Sequence, residues 1–353
     1  MEQGYYIKIF ADMAVYLGIV PQGVLGTINE SFGDDIKKNA DLSNMNVSTV
    51  YLMQDLEDGC KARCAFCSQS ADSNSARKES MLVDNLLIRY PMKMLVEKIK
   101  EGLLIEKRVE RICIQTIYNL KTVENLLRII SELRSVTTIP LTACCVPVRK
   151  TALLALKSAG LDMITINYET ATEELFDSLR GKGCGGPYRW DTLTECMNNA
   201  IEIFGRGNVG SHLQLGFGES ARQALSHIQT LHNKGVFISL FAFQPLEGTR
   251  LQNHKRISYK DFHKVQMGSF LIQSDLSRSE DFAFDKNGQI MHYGITENEL
   301  SDLVESGIPF RNKGCPGCNR IYYDTNPNER FYTYPRALTV GEISRIKADI
   351  LSR

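Results

Sequence analysis

Three cysteines lie close together in the segment DGCKARCAFC, where Cys60, Cys64 and Cys67 form a C-x3-C-x2-C pattern. Three thiolates at this spacing can bind three irons of a [4Fe–4S] cluster and leave the fourth iron to a ligand that is not protein. The alternative is a structural zinc site, which usually needs four ligands arranged in two pairs. Because no fourth ligand lies nearby in the sequence, the pattern favours an iron–sulfur cluster.

A second cysteine pair, Cys315 and Cys318, forms a C-x2-C pattern far from the first group. Alone, such a pair is half of a zinc site or a redox pair, and it needs partners. Further cysteines lie in segments expected to be strands: Cys113 in RICIQT, and Cys144 and Cys145 in LTACCVP. Side chains alternate along a strand, so only one of the two adjacent cysteines can point into a barrel. Free cysteines are also common as small buried apolar residues, and this alternative stays open for each strand cysteine.

Two other cysteines carry different expectations. Cys196 shares a helical face with Leu193, Met197 and Ala200, which indicates packing in the core. Cys184 lies in the glycine-rich segment GKGCGGP and is an alternative ligand in place of a strand cysteine. The six histidines show no paired spacing, and we do not expect them to bind metal.

The composition narrows the classes of protein that fit. The 353 residues include 41 Lys and Arg against 41 Asp and Glu, a balance that argues against a generic nucleic-acid binder. No run of roughly 20 apolar residues marks a membrane span, and the N-terminus lacks the basic region of a signal peptide. We therefore expect no nucleic-acid or membrane partner and a cytoplasmic location, where the ten cysteines stay reduced.

From about residue 48, short apolar segments alternate with amphipathic ones. The expected strands are 48–56, 109–116, 140–146, 161–168, a segment ending near 216, and 237–243. The expected helices are 92–103, 123–133, 151–158, 193–204 and 221–231, with less regular helices near 259–273 and 296–305. This alternation predicts an α/β fold with a parallel sheet of six to eight strands, as a TIM-type barrel or partial barrel.

Three regions follow from this pattern. Residues 1–46 have weak periodicity and are expected to form an N-terminal arm or cap, residues 47–300 the barrel, and residues 301–353 a cysteine-containing C-terminal tail. The three-cysteine segment directly follows the first expected strand. Because functional residues of such barrels gather at the C-terminal ends of the strands, we expect the site there.

The three-cysteine motif, with Phe66 before its last cysteine, resembles the signature of the radical S-adenosylmethionine (SAM) superfamily. The resemblance extends over residues 48–300. It implies a [4Fe–4S] cluster on Cys60, Cys64 and Cys67 whose open iron chelates SAM. In that superfamily the reduced cluster cleaves SAM to methionine and a 5′-deoxyadenosyl radical, which abstracts a hydrogen atom inside the barrel.

Other segments are similar to the biotin-synthase-like branch of this superfamily. The resemblance implies that Glu169, in NYET, binds the SAM amino group and that Arg189, in YRWDTL, meets its carboxylate and ribose. It also implies that GSHLQLGFGE packs on the adenine through Gly216, because glycine lets the backbone approach closely, and that Phe66 belongs to the same SAM site. An ordinary surface ion pair is the alternative for Glu169 and Arg189. The Gly-Gly-Glu turn of the superfamily is absent, since QTI occupies 115–117.

In biotin synthase, cysteines of the second and third strands hold an auxiliary cluster that is consumed as a sulfur source. The resemblance implies Cys113 and Cys144 at these positions, with Cys144 favoured over Cys145. Biotin synthase has a further ligand on its fifth strand, where this chain has Gly210. The C-terminal C-x2-C pair would replace it, and the four thiolates would suffice for a second, auxiliary [4Fe–4S] cluster.

The tail segment GCPGCNRIYYDTNPNERFYTYPR, residues 314–336, is similar to the tails of two-protein lipoyl synthases. In these, two related radical SAM proteins each add one sulfur, at C6 or C8, to an octanoyl chain carried on a lysine. The resemblance implies three partners: a lipoyl-carrier protein bearing octanoyl-lysine, a second radical SAM component, and an electron donor such as ferredoxin or flavodoxin. The alternatives are biotin synthase or another biotin-synthase-like enzyme, such as a cofactor maturase. A metal or Fe–S scaffold protein is the non-enzyme alternative.

Overall fold

The computed structural model describes residues 5–19, 48–74, 87–320, 324–325 and 329–351. The described strands are β1 (Tyr6–Phe10), β2 (Thr49–Gln54), β3 (Leu87–Pro91), β4 (Arg111–Gln115), β5 (Leu141–Cys145), β6 (Met163–Ile166), β7 (Val209–Leu215), β8 (Val236–Ala242), β9 (Ala283–Phe284) and β10 (Ile290–His292). The described α-helices are α1 (Ala11–Leu17), α2 (Met92–Lys100), α3 (Leu103–Glu106), α4 (Thr122–Arg134), α5 (Lys150–Ser158), α6 (Glu173–Leu179), α7 (Trp190–Phe204), α8 (Ala221–Asn233), α9 (Tyr259–Gln273), α10 (Glu297–Ser306) and α11 (Val340–Leu351).

Eight of these strands form one sheet in the order β3-β1-β2-β4-β5-β6-β7-β8. The six strands from β2 through β4 to β8 are parallel, and each is joined to the next by helical segments. The predicted α/β barrel architecture is therefore confirmed, with six strands in its parallel part. Strands β1 and β3 extend the sheet beyond β2, and β1 runs antiparallel to both of its neighbours.

Part of the predicted N-terminal arm lies inside the sheet. Strand β1 pairs with β2, where Ile7 lies opposite Gln54 and Ile9 opposite Leu52, and both isoleucines are fully buried. The sequence analysis missed β1 because its five residues lie apart from the regular strand–helix alternation. Residues 20–46 of the expected arm lie outside the described residues, as do 321–323 and 326–328 of the tail.

Local chemistry explains where the helices begin and end. Helix α8 begins with a capping box, in which the Ser220 side chain accepts from the Gln223 backbone and the Gln223 side chain accepts from the Ser220 backbone. Gly160, just after α5, adopts φ +101°, as expected for a glycine that ends a helix. Among the described residues, no helix combines the length and the apolar character that crossing a membrane requires.

The C-terminal tail returns to the barrel after α10. Its C-x2-C turn is fixed at the beginning of the first parallel strands, where the Gly317 carbonyl accepts from Ser48 Oγ at 2.6 Å and Thr49 Oγ1 at 2.9 Å. Arg111 Nε, at the start of β4, donates to the Pro316 carbonyl at 2.9 Å. The second cysteine pair therefore enters the barrel from the end opposite to the loop that carries the first three cysteines.

Candidate functional site

A cavity of about 260 Å³ lies at the C-terminal ends of the parallel strands. Cys60, Cys64 and Cys67 line it, all from the loop that follows β2. Burial raises the pKa of Cys67 to about 12, and the nearby Cys64 and Cys60 add to the rise. Thiols that resist ionisation in this way become thiolates when a metal replaces their protons.

Backbone hydrogen bonds hold the three-cysteine loop against the barrel. Lys61 N donates to the Tyr118 carbonyl at 2.7 Å, which ties the loop to the end of β4. Ala65 N donates to the Leu179 carbonyl at 2.8 Å, which ties it to the end of α6. The loop therefore has fixed contacts on both sides, and its cysteines are positioned by rigid elements.

Arg180 lines the cavity beside this loop and is only 7 % exposed. One of its terminal nitrogens donates to the carbonyls of Asn167 and Tyr168, while its Nε has no hydrogen-bond partner among the described residues. Burial lowers the pKa of Arg180, but nearby Cys64 and Glu169 help to raise it above its usual value. A buried guanidinium with an unused donor fits an anionic ligand. The residues present therefore fit an iron–sulfur cluster together with a carboxylate ligand such as that of SAM.

Glu169 also lines the cavity, just beyond the end of β6. Its Oε2 accepts from Gln214 Nε2 at 2.8 Å. Its backbone has φ +66°, a left-handed conformation that costs a non-glycine residue about 1–3 kcal/mol. Hydrogen bonds to β7 on both sides maintain it: Glu169 N donates to the His212 carbonyl at 2.9 Å, and Gln214 N donates to the Glu169 carbonyl at 3.0 Å. The fold thus holds a strained backbone that brings this carboxylate to the cavity.

Phe66 and Gly216, both expected at the SAM site, differ in their placement. Phe66 lines the cavity, and its ring centroid lies 5.3 Å from that of Phe217. Gly216 is not among the lining residues, but it has φ +114° and leaves no comfortable room for a side chain. A Cβ there would approach Ile257 within 3.3 Å. Gly216 is therefore required by the turn itself.

Arg189 lies outside the residues that line the cavity. Its terminal nitrogen Nη1 donates to the carbonyls of Gly186, at 3.0 Å, and Tyr188, at 2.6 Å. Arg180, unlike Arg189, lines the cavity together with the three cysteines, and the sequence analysis did not select it. The role of Arg189 toward SAM stays a prediction.

The four cysteines expected to hold an auxiliary cluster converge in the barrel interior. Cys113 Sγ lies 3.7 Å from Cys144 Sγ, and the Tyr51 hydroxyl lies 3.4 Å from Cys318 Sγ. Burial raises the pKa of Cys315 to about 12, with further contributions from the nearby Cys318 and Cys144. Residues from two strands and from the distant tail thus form one group of thiols.

Cys144 connects the two cysteine groups because it also lines the cavity that Cys60, Cys64 and Cys67 line. The hydrogen bond between Cys113 and Cys144 lowers the pKa of Cys144 and raises that of Cys113. Cys144 is therefore the thiol of this pair that ionises first. His212 lies beside Cys144 and lines the same cavity. The sequence analysis did not select His212, although the alternation in GSHLQL places it on one face with Gln214.

The donor set of the second group consists of thiols, which suit iron–sulfur clusters. In the part of the chain that the structure describes, no three His, Cys, Asp or Glu side chains surround a point where a single metal ion could sit. In a cluster the thiolates bind different irons, so they need not converge on one point. The four thiols are of the ligand type that an iron–sulfur cluster takes, and the auxiliary cluster on them stays a prediction.

Gly210 lies on β7, which is the fifth of the parallel strands, and this position leaves no room for a ligand side chain. A Cβ at this position would lie 2.3 Å from Cζ of Phe237 on the neighbouring strand β8. Such a contact leaves no room for a cysteine side chain. The thiols that join Cys113 and Cys144 come from the tail instead, through Cys315 and Cys318.

The remaining cysteines are Cys145, Cys184 and Cys196, and of these Cys145 also lines the cavity. Cys145 and Cys196 are buried between β5 and α7, where Val148 N donates to Cys196 Sγ at 3.4 Å. Cys184 is buried in a short turn, and its thiol donates to the Gly181 carbonyl at 3.3 Å. Packing accounts for Cys196, whereas Cys145 lies at the cavity beside Cys144 and Cys184 is near enough to help raise the pKa of Cys64.

Residues 57–231 match the family model of the Radical SAM superfamily. This part of the chain belongs to the radical SAM superfamily. Membership makes the protein an enzyme and implies a [4Fe–4S] cluster that binds SAM. A search of curated proteins finds no match.

Solved structures of low sequence identity are similar to the chain. The hydrogenase maturase of Carboxydothermus hydrogenoformans superposes with a TM-score of 0.51 at 16 % identity, over 84 % of this chain and 73 % of that one. A methylornithine synthase gives a TM-score of 0.48 at 13 % identity, over 75 % and 74 % of the two chains. At these identities the likeness concerns the fold alone.

One departure from the radical SAM pattern is visible in the cavity. Where the superfamily has its Gly-Gly-Glu turn, this chain has Gln115, Thr116 and Ile117, and all three line the cavity. Thr116 Oγ1 accepts from Val146 N at 2.9 Å, which joins the ends of β4 and β5. Among the residues that line the cavity, Glu169 is the one with a carboxyl side chain, and its expected role toward the SAM amino group stays a prediction.

Proposed function

We propose that the protein inserts sulfur into unactivated C–H bonds of a protein-bound octanoyl chain, as one component of a two-protein lipoyl synthase. One observation carries this proposal: two groups of cysteines meet at one cavity, and Cys144 belongs to the lining of that cavity and to the second group. Sulfur insertion needs a radical source and a sulfur donor within reach of the same carbon. A single cavity between two cysteine groups supplies this arrangement.

At the radical end, Cys60, Cys64 and Cys67 would hold the [4Fe–4S] cluster. When bound, this cluster and SAM supply the 5′-deoxyadenosyl radical that removes a hydrogen atom from the substrate. Arg180 would bind the SAM carboxylate through its unused Nε, and Glu169 would accept from the amino group. Hydrogen-atom abstraction requires no proton transfer to a general base, so the proposed chemistry needs no catalytic acid–base pair.

At the sulfur end, Cys113, Cys144, Cys315 and Cys318 would hold an auxiliary [4Fe–4S] cluster that is consumed as the sulfur-donating substrate. The carbon radical left on the acyl chain would form a C–S bond to a sulfide of this cluster, and a ferric iron of the cluster would take up the one electron released. Breaking the Fe–S bonds to that sulfur would then leave it on the acyl chain as a thiol after protonation. The tail pair is fixed by the hydrogen bonds of Ser48 and Thr49 to the turn between the two cysteines. The sulfur donor would therefore be held at the start of β2, the strand that leads into the loop with the first three cysteines.

The proposal includes three protein partners. A lipoyl-carrier protein would present the octanoyl chain on a lysine, and a second radical SAM component would add the other sulfur. A ferredoxin or flavodoxin would supply the electron for each SAM cleavage. The zero formal net charge of the chain favours these protein partners over nucleic acid.

The test is a turnover assay with the anaerobically reconstituted enzyme, SAM and dithionite. An octanoyl-lysyl peptide and dethiobiotin are supplied separately, and the products are analysed by mass spectrometry. The proposal predicts a thiolated octanoyl peptide, whereas sulfuration of dethiobiotin alone would identify a biotin synthase.

Two control measurements test the sulfur donor and the radical chemistry separately. The Cys315→Ser/Cys318→Ser variant should cleave SAM without forming the thiolated product, because it lacks the sulfur donor. A wild-type protein that binds iron but never cleaves SAM would instead be a scaffold, and the proposal would be wrong.

A further inference from the structure

The cavity that Cys60, Cys64 and Cys67 line has polar side chains on one side and apolar side chains on another. Strands β6 and β7 and the loops after them supply polar groups, among them Asn167, Glu169 and Gln214. The first three strands supply apolar side chains to the same cavity, and the segment after β8 supplies another. These apolar residues, here called the apolar wall, are Phe10, Met53, Leu87 and Leu246.

Most of the apolar wall lies outside the residues that match the radical SAM family model. Phe10, Met53 and Leu246 fall outside residues 57–231, and Leu87 on β3 pairs directly with Phe10 on β1. Phe10 and Met53 are almost fully buried, at 6 % and 8 % exposure, whereas Leu87 and Leu246 are half-buried. Leu246 is held by its own turn, since Thr249 Oγ1 donates to its carbonyl at 2.7 Å.

The apolar wall also adjoins the second cysteine group. The Arg320 guanidinium lies over the Phe10 ring at 4.3 Å and over the Tyr51 ring at 5.3 Å. The Tyr51 hydroxyl in turn lies 3.4 Å from Cys318 Sγ. A ligand that packs on the apolar wall would therefore have the polar side chains of the cavity on one side and the tail cysteines on the other.

Gln244 supplies a polar group next to the wall. It lines the cavity two residues before Leu246, and its Nε2 is buried without a hydrogen-bond partner among the described residues. A buried amide donor without a partner is costly unless a ligand accepts from it. The pattern of an apolar surface with one adjacent donor matches an alkyl chain that ends in a carbonyl.

We infer that Phe10, Met53, Leu87 and Leu246 bind the alkyl chain of the substrate, and that Gln244 donates to the amide carbonyl joining that chain to its carrier lysine. The inference rests on the proposed function and adds to it the residues that select chain length. It also gives a role to the N-terminal strand β1, whose Phe10 forms part of the wall. The substrate class is an unbranched acyl group in amide linkage.

The test measures binding of hexanoyl-, octanoyl- and decanoyl-lysyl peptides, each with a fluorescent label, to the reconstituted enzyme. The wild type should bind the hexanoyl peptide about fifteenfold more weakly than the octanoyl peptide, because each buried methylene contributes about fourfold in affinity. Leu87→Ala and Leu246→Ala should weaken octanoyl binding about tenfold and shift the preference toward decanoyl. Gln244→Leu should weaken all three peptides by about fivefold, without changing their order.

The control is Leu276→Ala, which removes a similar side chain that is 52 % exposed and does not line the cavity. This variant should keep the wild-type order and affinities. Circular dichroism melts check that every variant is folded, which is expected for Leu87 and Leu246 because both are half-buried.

Two results would overturn the inference, and they are distinguishable. If the wild type distinguishes chain lengths but the wall variants leave that profile unchanged, the acyl chain binds elsewhere and the proposed function survives. If the wild type cleaves SAM but binds no acyl peptide at all, the proposed function fails together with the inference.

Discussion

Two arginines compete for the role of binding the SAM carboxylate. The family resemblance points to Arg189, whose guanidinium donates to backbone carbonyls outside the cavity lining. Arg180 lines the cavity, is buried, and keeps one donor without a partner among the described residues. Sequence reasoning could not find Arg180, because its position depends on how α6 and the loop after it fold back onto the cysteine loop.

We expect Arg180→Lys to weaken SAM binding by at least about tenfold, since a hydrogen bond to a charged group contributes about 1.5–3 kcal/mol. Lysine keeps the positive charge but has a single nitrogen, so it lacks the planar array of separate donors with which arginine binds the backbone carbonyls on one side and a carboxylate on another. Isothermal titration of SAM into the anaerobically reconstituted protein measures the change. Arg189→Lys serves as the matched comparison. A larger loss for Arg189→Lys than for Arg180→Lys would assign the carboxylate to Arg189 instead.

Gly210 offers a second test at the level of a single residue. Gly210→Ala should lower the free energy of unfolding by about 1–3 kcal/mol, because the added methyl would overlap the Phe237 ring. Gly341→Ala is the control, since a Cβ at this position in α11 meets nothing within 4 Å. That substitution should stabilise the protein by about 0.5–1 kcal/mol, because alanine favours helix. Urea denaturation measures the free energy of unfolding of both variants. Equal changes for Gly210→Ala and Gly341→Ala would show that the Phe237 ring moves aside at little cost.

At the scale of secondary-structure elements, the parallel strands were predictable and the tail contacts were not. Segments such as RICIQT and LTACCVP carry enough apolar residues to indicate buried strands, and β4 and β5 form there. Strand β3 was missed because its five residues, LIRYP, carry an arginine and end at a proline. The meeting of Cys318 with Tyr51 joins residues 267 positions apart, and only tertiary packing determines it.

The turn between Cys315 and Cys318 should open more often when its hydrogen bonds to β2 and the residue before it are removed. Ser48→Ala combined with Thr49→Val deletes both hydroxyl donors to the Gly317 carbonyl. Each hydrogen bond contributes about 1 kcal/mol, so alkylation of Cys315 and Cys318 in the metal-free protein should accelerate by at least about tenfold. Mass spectrometry after iodoacetamide treatment measures the rates.

The buried thiols of Cys145 and Cys196 provide an internal reference for that experiment. The control variant is Thr230→Val, which removes a hydroxyl hydrogen bond to Ser226 on the exposed side of α8. It should leave the alkylation rates of the tail cysteines unchanged. Equal rates in the double variant and the wild type would contradict the anchoring role of Ser48 and Thr49.

A second tail contact predicts a pH dependence. The Asp324 carboxylate, 3 % exposed, accepts from Ala242 N at 3.3 Å and from Thr333 Oγ1 at 2.7 Å. Burial raises its pKa to about 6 even so. The usual unfolded value is about 3.9, so the folded state binds the extra proton. The stabilisation from this group is complete below about pH 4 and is lost as the pH rises through about 6.

Asp324→Asn should remove this dependence, because the amide keeps an acceptor oxygen but does not titrate. The free energy of unfolding of the wild type should fall relative to that of the variant between about pH 4 and pH 6. Urea denaturation at a series of pH values measures the difference. Parallel curves for the two proteins would show that Asp324 does not titrate in this range.

At the scale of the whole molecule, the fold brings two cysteine groups into the barrel from opposite ends, and Cys144 of the second group lines the cavity that Cys60, Cys64 and Cys67 line. The loop after β2 carries Cys60, Cys64 and Cys67 at the C-terminal ends of the strands. The tail carries Cys315 and Cys318 to the starts of β2 and β4, where Gly317 and Pro316 are bound. The spacing in the sequence could identify each cysteine group. Their placement at opposite ends of the barrel depends on the path of the tail, which the sequence does not reveal.

The most direct test is the iron and sulfide content of the protein after anaerobic reconstitution. The wild type should bind about eight irons, and both Cys60→Ala/Cys64→Ala/Cys67→Ala and Cys315→Ala/Cys318→Ala should bind about four. That result would show two clusters that form independently on the two cysteine groups. A wild type with about four irons, and a Cys60→Ala/Cys64→Ala/Cys67→Ala variant with none, would contradict the account, because no sulfur donor would then be held in the barrel.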